Sequence, residues 1–370
     1  MKIKITISIL LVCFAAVFFI GAKQNDGYGP FAPTPIKLKI PPGWPKPPTD
    51  IFAKNKLTEE GFQLGKRLFY DGRLAKDNET SCNSCHQQFA AFATFDHDLS
   101  HGVNNTFSTR NAPALTNLAW MTGLHWDGGI NHIEVQPLSP LTASNEMGEK
   151  LDSVIFKLRK DTMYRRLFKA AFGDPVINSQ RMLKALAQFT GSLISCNSKY
   201  DKVQRGEASF TSYELDGYNT FKAKCASCHK EPLFTDNSFR NNGLSLNRFK
   251  DIGRQNITGL SSDSLKFKVP TLRNVQVSYP YMHDGRIFSL YQVVEHYRTG
   301  IINYQPTLDT SLQKRIDITP GQKNNLVYFL YTLTDSSFIK DPRFAPNMVY
   351  SNDIVPKKAD HVEPARSPNQ

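Results

Sequence analysis

The chain is poor in cysteine, with six among 370 residues, and it has no Lys/Arg block interleaved with aromatics. The second absence removes the usual footprint of a nucleic-acid-binding surface. The first rules out a disulfide framework. Four cysteines fall in two C-x-x-C pairs, Cys13 lies inside an N-terminal apolar run, and only Cys196 is left over. Cys196 reads as a small buried apolar side chain. A comfortable membrane span is missing too, because the apolar run from Ile5 to Ile20 is short for a bilayer. With Met1-Lys2-Ile3-Lys4 before it and Gly21-Ala22 after it, the run reads as an export signal over residues 1–22, an uncleaved anchor being the other outcome. Cys13 sits within the run and not behind a small residue at its end, so a lipoprotein anchor is not expected.

The most informative stretch is Cys82-Asn83-Ser84-Cys85-His86, which returns as Cys225-Ala226-Ser227-Cys228-His229. Two cysteines two residues apart with a histidine directly after them form the attachment signature of a c-type haem. The thiols add across the haem vinyl groups and the adjacent imidazole coordinates the iron. Zinc knuckles and redox disulfides also use paired cysteines. Knuckles, however, lie close together in sequence, and neither alternative explains a histidine in the same place twice. Covalent haem is attached outside the cytoplasm, so the motifs and the export signal agree on a periplasmic location.

Around the motifs the chain divides into a proline-rich arm (23–55), two similar units (56–200 and 201–340) and a basic tail (341–370). The arm contains Pro41-Pro42-Gly43-Trp44-Pro45-Lys46-Pro47-Pro48, which favours extended polyproline conformation. Thr58 followed by Glu59 and Glu60 predicts a helix start. Gly65-Lys66-Arg67-Leu68-Phe69 before the first motif is echoed by Gly217-Tyr218-Asn219-Thr220-Phe221 before the second. At the far ends, Leu186-Ala187-Gln188-Phe189 with Leu193 lines up with Leu326-Val327-Tyr328-Phe329 with Leu333, each in an amphipathic helical pattern. The second of these helices opens on Thr319-Pro320, a cap followed by proline at the first helical position. The plan is an internal duplication. The expected fold is mainly α: two cytochrome c-like haem domains with long irregular loops, the haems replacing much of the apolar core.

Between and after the motifs lie Arg110-Asn111-Ala112-Pro113, Trp126-Asp127-Gly128-Gly129, Glu134-Val135-Gln136 and Glu146-Met147-Gly148. Val269-Pro270-Thr271-Leu272-Arg273-Asn274, Tyr279-Pro280-Tyr281-Met282-His283-Asp284-Gly285 and Val293-Val294-Glu295-His296-Tyr297 follow. Taken with the two haem motifs, this order resembles the bacterial di-haem cytochrome c peroxidase and MauG superfamily from about residue 50 to 335. The resemblance implies that the haem on His86 meets hydrogen peroxide and that the haem on His229 passes electrons to it. Glu146 then matches the family's distal acid and Gln136 its distal amide. Splitting peroxide requires a proton to move from its inner to its outer oxygen, which a nearby carboxylate can carry. Taken alone, Glu146 reads more readily as a solvated loop charge, and it is the motif match that favours the catalytic role. Trp126 matches the tryptophan between the haems and also fits an ordinary core aromatic. A calcium ion between the haems would take the Asn111 side chain and the Ser278 and Pro280 carbonyls, an oxygen-only set that suits calcium.

Tyr297 stands where typical peroxidases carry a methionine ligand to the C-terminal haem, as in MauG-like members, with Met282 as the competing ligand. Leu290, Val293, Val294 and Tyr297 share one helical face, so Tyr297 also fits a core position. Where many of the peroxidases place a histidine that blocks the first haem, Val103 follows Gly102 while His101 precedes it. His97, His125 and His132 receive no role. The expected activity is that of a cytochrome-c peroxidase reducing hydrogen peroxide with electrons from a small cytochrome c or cupredoxin. A MauG-like enzyme modifying a partner protein and a non-enzymatic di-haem electron carrier are the rivals. The formal net charge of +12, 45 basic against 33 acidic residues, suits an acidic redox partner as well as it suits a generally basic solvated surface. A homodimer is left open.

Overall fold

The computed structural model describes residues 31–346; the export-signal reading and residues 347–370 of the tail lie outside them. From Pro33 onward the chain forms one unit. Residues 31–55 of the proline-rich arm make no internal ladder, as expected of an extended proline segment, and are tied down by their neighbours. Ile36 N donates to the Leu57 carbonyl at 3.0 Å and Glu59 N to the Thr34 carbonyl at 2.9 Å. Trp44 stands edge-on to Trp120 at 5.1 Å, and the Trp120 indole N–H donates to the Pro45 carbonyl at 2.7 Å.

The first half contains helices α1 (Glu59–Phe69), α2 (Cys82–Cys85), α3 (Leu138–Thr142), α4 (Leu151–Arg159), α5 (Thr162–Phe172) and α6 (Ser179–Thr190). The second contains α7 (Lys199–Gln204), α8 (Ser212–Lys224), α9 (Gln255–Thr258), α10 (Leu290–Glu295), α11 (Pro320–Tyr331) and α12 (Ser336–Ile339). The caps lie where the sequence predicts. The Thr58 hydroxyl accepts from Gly61 N at 3.1 Å. Thr319 and Gln322 form a reciprocal capping box around Pro320. Among the described residues the only sheet is an antiparallel pair, β1 (Phe239–Arg240) and β2 (Phe267–Lys268), with Phe239 opposite Lys268 and Arg240 opposite Phe267. The molecule is therefore helix-rich with long irregular loops.

The duplication is repeated in the packing. Helix α1 lies against α6, and α8 against α11. Both contacts pass through a glycine that allows no side chain. A Cβ on Gly65 would overlap the Ala185 carbonyl oxygen and stand 3.0 Å from the Phe189 Cβ; on Gly217 it would overlap the Asn325 carbonyl oxygen and stand 3.0 Å from the Phe329 Cβ. Each half then stacks three phenylalanines. Phe69 and Phe92 lie 5.1 and 6.1 Å from Phe189, and Phe221 and Phe234 lie 5.1 and 6.2 Å from Phe329. Among the described residues two large apolar cores result, one built around α1, α5 and α6 and the other around α8, α10 and α11, with a small third cluster of Ala119, Trp120 and Leu233. Residues 341–346, read from sequence as the start of a draped tail, return instead to the first core. Phe344 is buried there beside Phe338 at 5.5 Å. The Arg343 carbonyl accepts from Lys66 Nζ at 2.9 Å, and the Phe344 carbonyl accepts from the Tyr70 hydroxyl at 2.8 Å.

Candidate functional site

Helix α2 is a single turn capped by Ser81 and Ser84, with His86 closing it through His86 N to the Cys82 carbonyl at 2.9 Å. The turn sets Cys82, Cys85 and His86 on the wall of a cavity of about 650 Å³ that Trp126, Gln136 and Glu146 also line. The His86 ring is oriented by its Nδ1–H, which donates to the Phe92 carbonyl at 2.8 Å. Because a carbonyl can only accept, this bond fixes the tautomer and leaves Nε2 as a free ligand atom. Phe92 makes the bond from left-handed backbone, φ 60°. Burial among protein atoms drives the imidazole pKa down to about 4 and the Cys82 thiol up to about 12, so the ring is neutral at physiological pH.

Glu146 sits half-buried on the cavity wall, and desolvation raises its carboxyl above the usual range. Its backbone is held by Val103 N, which donates to the Glu146 carbonyl at 2.8 Å. Gly102 is what lets the two loops touch, since a Cβ there would overlap the Asn145 carbonyl oxygen and come within 2.8 Å of the Glu146 carbonyl oxygen. Val103 is buried in the first core. His101 is exposed yet lines the same cavity as Cys85 and His86, its ring resting on Phe107 at 4.6 Å and His97 at 5.2 Å.

Two further groups join this wall. His125, at a left-handed corner with φ 64°, brings its Nε2 within 3.4 Å of the Gln136 side-chain nitrogen. Lys268 reaches in from β2, its Nζ donating to the Gly123 carbonyl at 3.0 Å, and desolvation lowers its pKa to about 8.

Trp126 lies in the seam between the halves. Its indole N–H donates to the Asn111 carbonyl at 2.8 Å, and Asn111 N donates to the His283 carbonyl at 2.9 Å. His283 is buried and stacked on Phe267, 3.7 Å between ring centroids and 12° between planes. Arg110 spans the same seam, donating to Asp127 at 2.5 Å and to Asp251 at 2.6 and 2.9 Å. The Asn111 amide nitrogen donates to the Asp98 carbonyl at 3.1 Å, so of its two side-chain polar atoms only the oxygen could serve as a cation ligand. Ser278 is half-buried and Pro280 buried.

The second motif repeats the first. His229 Nδ1–H donates to the Phe234 carbonyl at 3.1 Å, Phe234 again being left-handed with φ 56°. Burial lowers the His229 pKa and raises the Cys225 thiol to about 12. Helix α10 gives way to a π-helical turn over His296–Gly300, and Tyr297 sits in it. Desolvation raises the Tyr297 phenol to about 12, the Asn242 side chain pulls it back, and the Cys225 and Cys228 thiols push it further up. Met282 is at a left-handed corner, φ 75°, and its Sδ accepts from Asn242 Nδ2 at 3.5 Å.

The residues fit the group that the motifs call for. Each half offers two thiols and a neutral imidazole whose Nε2 is free and whose other nitrogen is anchored to backbone. Two such constellations in one chain define a protein of the di-haem c-type class.

The comparisons with known proteins agree. Residues 59–209 match the family model for di-haem cytochrome c peroxidase. The methylamine utilization protein MauG of Methylophilus methylotrophus is 32% identical over 316 residues, covering 84% of this chain and 91% of that protein. The cytochrome c551 peroxidase of Nitrosomonas europaea is 32% identical over 305 residues, covering 80% and 85%. The crystal structure of a MauG-like protein associated with microbial copper homeostasis superposes with a TM-score of 0.76 at 33% identity, covering 84% of this chain and 99% of that one. The chain belongs to the di-haem cytochrome c peroxidase and MauG family, which implies two c-type haems.

Sequence reasoning did not assign His125, Lys268 or Asn242. The one signal available was positional. His125 precedes Trp126-Asp127-Gly128 as Met282 precedes His283-Asp284-Gly285, and Leu124 pairs with Ile130 as Tyr281 pairs with Ile287.

Proposed function

We propose that the chain is a periplasmic di-haem peroxidase that reduces hydrogen peroxide to water, drawing electrons from a small cytochrome c or cupredoxin. The two halves act as cytochrome c-like domains, the first peroxidatic and the second electron-transferring. The observation that carries this reading is the desolvated Glu146 carboxyl on the same cavity wall as Cys85, His86 and Gln136. Haem supplies the iron that binds peroxide and exchanges the electrons. His86 and His229, each with Nδ1 tied to a backbone carbonyl, would hold the two irons through Nε2. Glu146, as the carboxylate, takes the proton from the inner oxygen of peroxide and returns it to the outer one. The Gln136 amide orients peroxide and water. Trp126, wedged in the seam, carries an electron from one half to the other. Calcium bound by Asn111, Ser278 and Pro280 stiffens that seam.

Tyr297 favours a second reading. A phenolate ligand to the second iron stabilises its oxidised states, which suits a MauG-like enzyme that stores oxidising equivalents and spends them on a partner protein. The two readings separate on mixing. Peroxide is added to the haem-loaded, fully oxidised protein, the optical spectrum is followed, and a reduced small cytochrome is then supplied. Fast, repeated cytochrome oxidation is the expected result. A persistent spectral change with little cytochrome turnover would move the assignment to protein modification, and indifference of the spectrum to peroxide would leave only an electron carrier.

A further inference from the structure

Two side chains, Tyr297 and Met282, are the candidates that could hold the second iron together with His229, and a single amide faces both. Asn242 Nδ2 donates to the Met282 sulfur at 3.5 Å, and the same side chain faces the Tyr297 hydroxyl. The amide is not free to wander. Its own backbone carbonyl accepts from His296 Nε2 at 2.9 Å, next to Tyr297 in the π-helical turn. Its neighbour Asn241 is buried, donating to Gln305 and Thr307 at 2.9 Å each, while Gly243 N donates back to Asn241 at 2.8 Å. Wide turns of this kind interrupt helices at working sites.

We propose that Asn242 is a positioning residue that selects the axial ligand of the C-terminal haem, presenting the Tyr297 phenolate to the iron and keeping the Met282 sulfur off it. This rests on the reading of Tyr297 and Met282 as the competing ligands. An amide NH₂ has two hydrogens to give. A phenolate oxygen bound to a metal keeps lone pairs and a negative charge, so the bond it accepts is charge-assisted. A thioether sulfur is a weak acceptor, and ligating the iron would draw it away from the amide. The amide therefore stabilises the tyrosine-ligated arrangement on both counts: one hydrogen stabilises the deprotonated phenol in place and the other holds the methionine aside. Met282 stands at the left-handed corner that His125 occupies in the first half, each just after the residue that opens the matching bridge, Tyr281–Ile287 and Leu124–Ile130.

The test uses haem-loaded full-length protein with both haems retained, and reads the optical and electron-paramagnetic-resonance spectra of the oxidised form together with the midpoint potential of the second haem. Asn242→Asp keeps the shape of the side chain and replaces the donor by an acceptor that repels a phenolate. Asn242→Ala removes the amide altogether. Losing a charge-assisted bond should shift the tyrosine-to-methionine ratio by roughly ten- to a hundredfold. Both variants are expected to gain the sulfur-to-iron charge-transfer absorption of a Met–His haem and a more positive potential, and Met282→Leu added to either should abolish that absorption. An unchanged spectrum and potential in both Asn242 variants would overturn the role of Asn242 while leaving Tyr297 as ligand. An unchanged spectrum in Tyr297→Phe would instead remove Tyr297 from the iron, and with it the reading on which the selection rests.

Discussion

Replacing Gly102 by alanine tests how the acid is held in place. Gly102 has φ −104° and ψ −174°, extended backbone open to any residue, so the effect of an added methyl is purely steric. That methyl would overlap the Asn145 carbonyl oxygen and lie 2.7 Å from its carbon and 2.8 Å from the Glu146 carbonyl oxygen. Unstrained carbon contacts begin near about 3.5 Å. The Asn145–Glu146 backbone must therefore retreat by roughly 1 Å, weakening the bond from Val103 N. Overpacking of this kind costs about 1–3 kcal/mol of stability, and a misplacement of about 1 Å at a reacting group costs on the order of 100-fold in rate. The assay is kcat/KM for peroxide with reduced cytochrome in excess, measured beside haem content and thermal unfolding. Gly321 is the control, because a Cβ there meets nothing within 4 Å; its alanine variant should keep full activity and gain up to about 1 kcal/mol of helix stability. A Gly102→Ala enzyme with unchanged kcat/KM and unchanged Tm would refute the steric account.

Three other substitutions bear on the acid and on the duplication. Glu146→Gln should lose about 10²- to 10⁴-fold in peroxide turnover with both haems still bound. Burial raises the Glu146 pKa and the carboxylate is the working form, so wild-type kcat/KM should rise with pH through a limb lying above the ordinary glutamate value, and the glutamine variant should lack that limb; a limb that survives the substitution belongs to another group. Gly65→Ala and Gly217→Ala should each destabilise by about 1–3 kcal/mol in urea unfolding, since both methyls meet the facing helix in the same way; a large effect at one and none at the other would break the equivalence of the two helix pairs.

What was legible in the sequence was whatever is local. Thr58, Thr319-Pro320 and both C-x-x-C-H motifs declare themselves within a few residues, because a cap, a proline at the first helical position and a haem attachment each need neighbours in the chain. The echo of Gly65 at Gly217 and of Phe189 at Phe329 was legible because a duplicated core repeats its spacing. The wall around Glu146 was not. Lys268 arrives there from a strand more than a hundred residues further on, and His125 owes its aim to a left-handed corner that propensity does not announce. The turn around Tyr297 was hidden for a related reason: an ideal 3.6-residue period puts Tyr297 on the face of Leu290 and Val294, and nothing local announces the π-helical turn that interrupts that period at His296–Gly300. The return of Phe344 was hidden because six residues beyond a helix carry too little pattern to show where they dock.

That return has a consequence for the order in which the molecule can be completed. A chain made or exported from its N-terminus presents Phe62, Phe69 and Phe92 early, yet the cluster they form is closed by Phe338 and Phe344. Lys66 and Tyr70 of α1 find their acceptors on Arg343 and Phe344. The half that emerges first is thus the half that finishes last, and a chain stopped before residue 338 would leave its first haem pocket resting on an unsealed core.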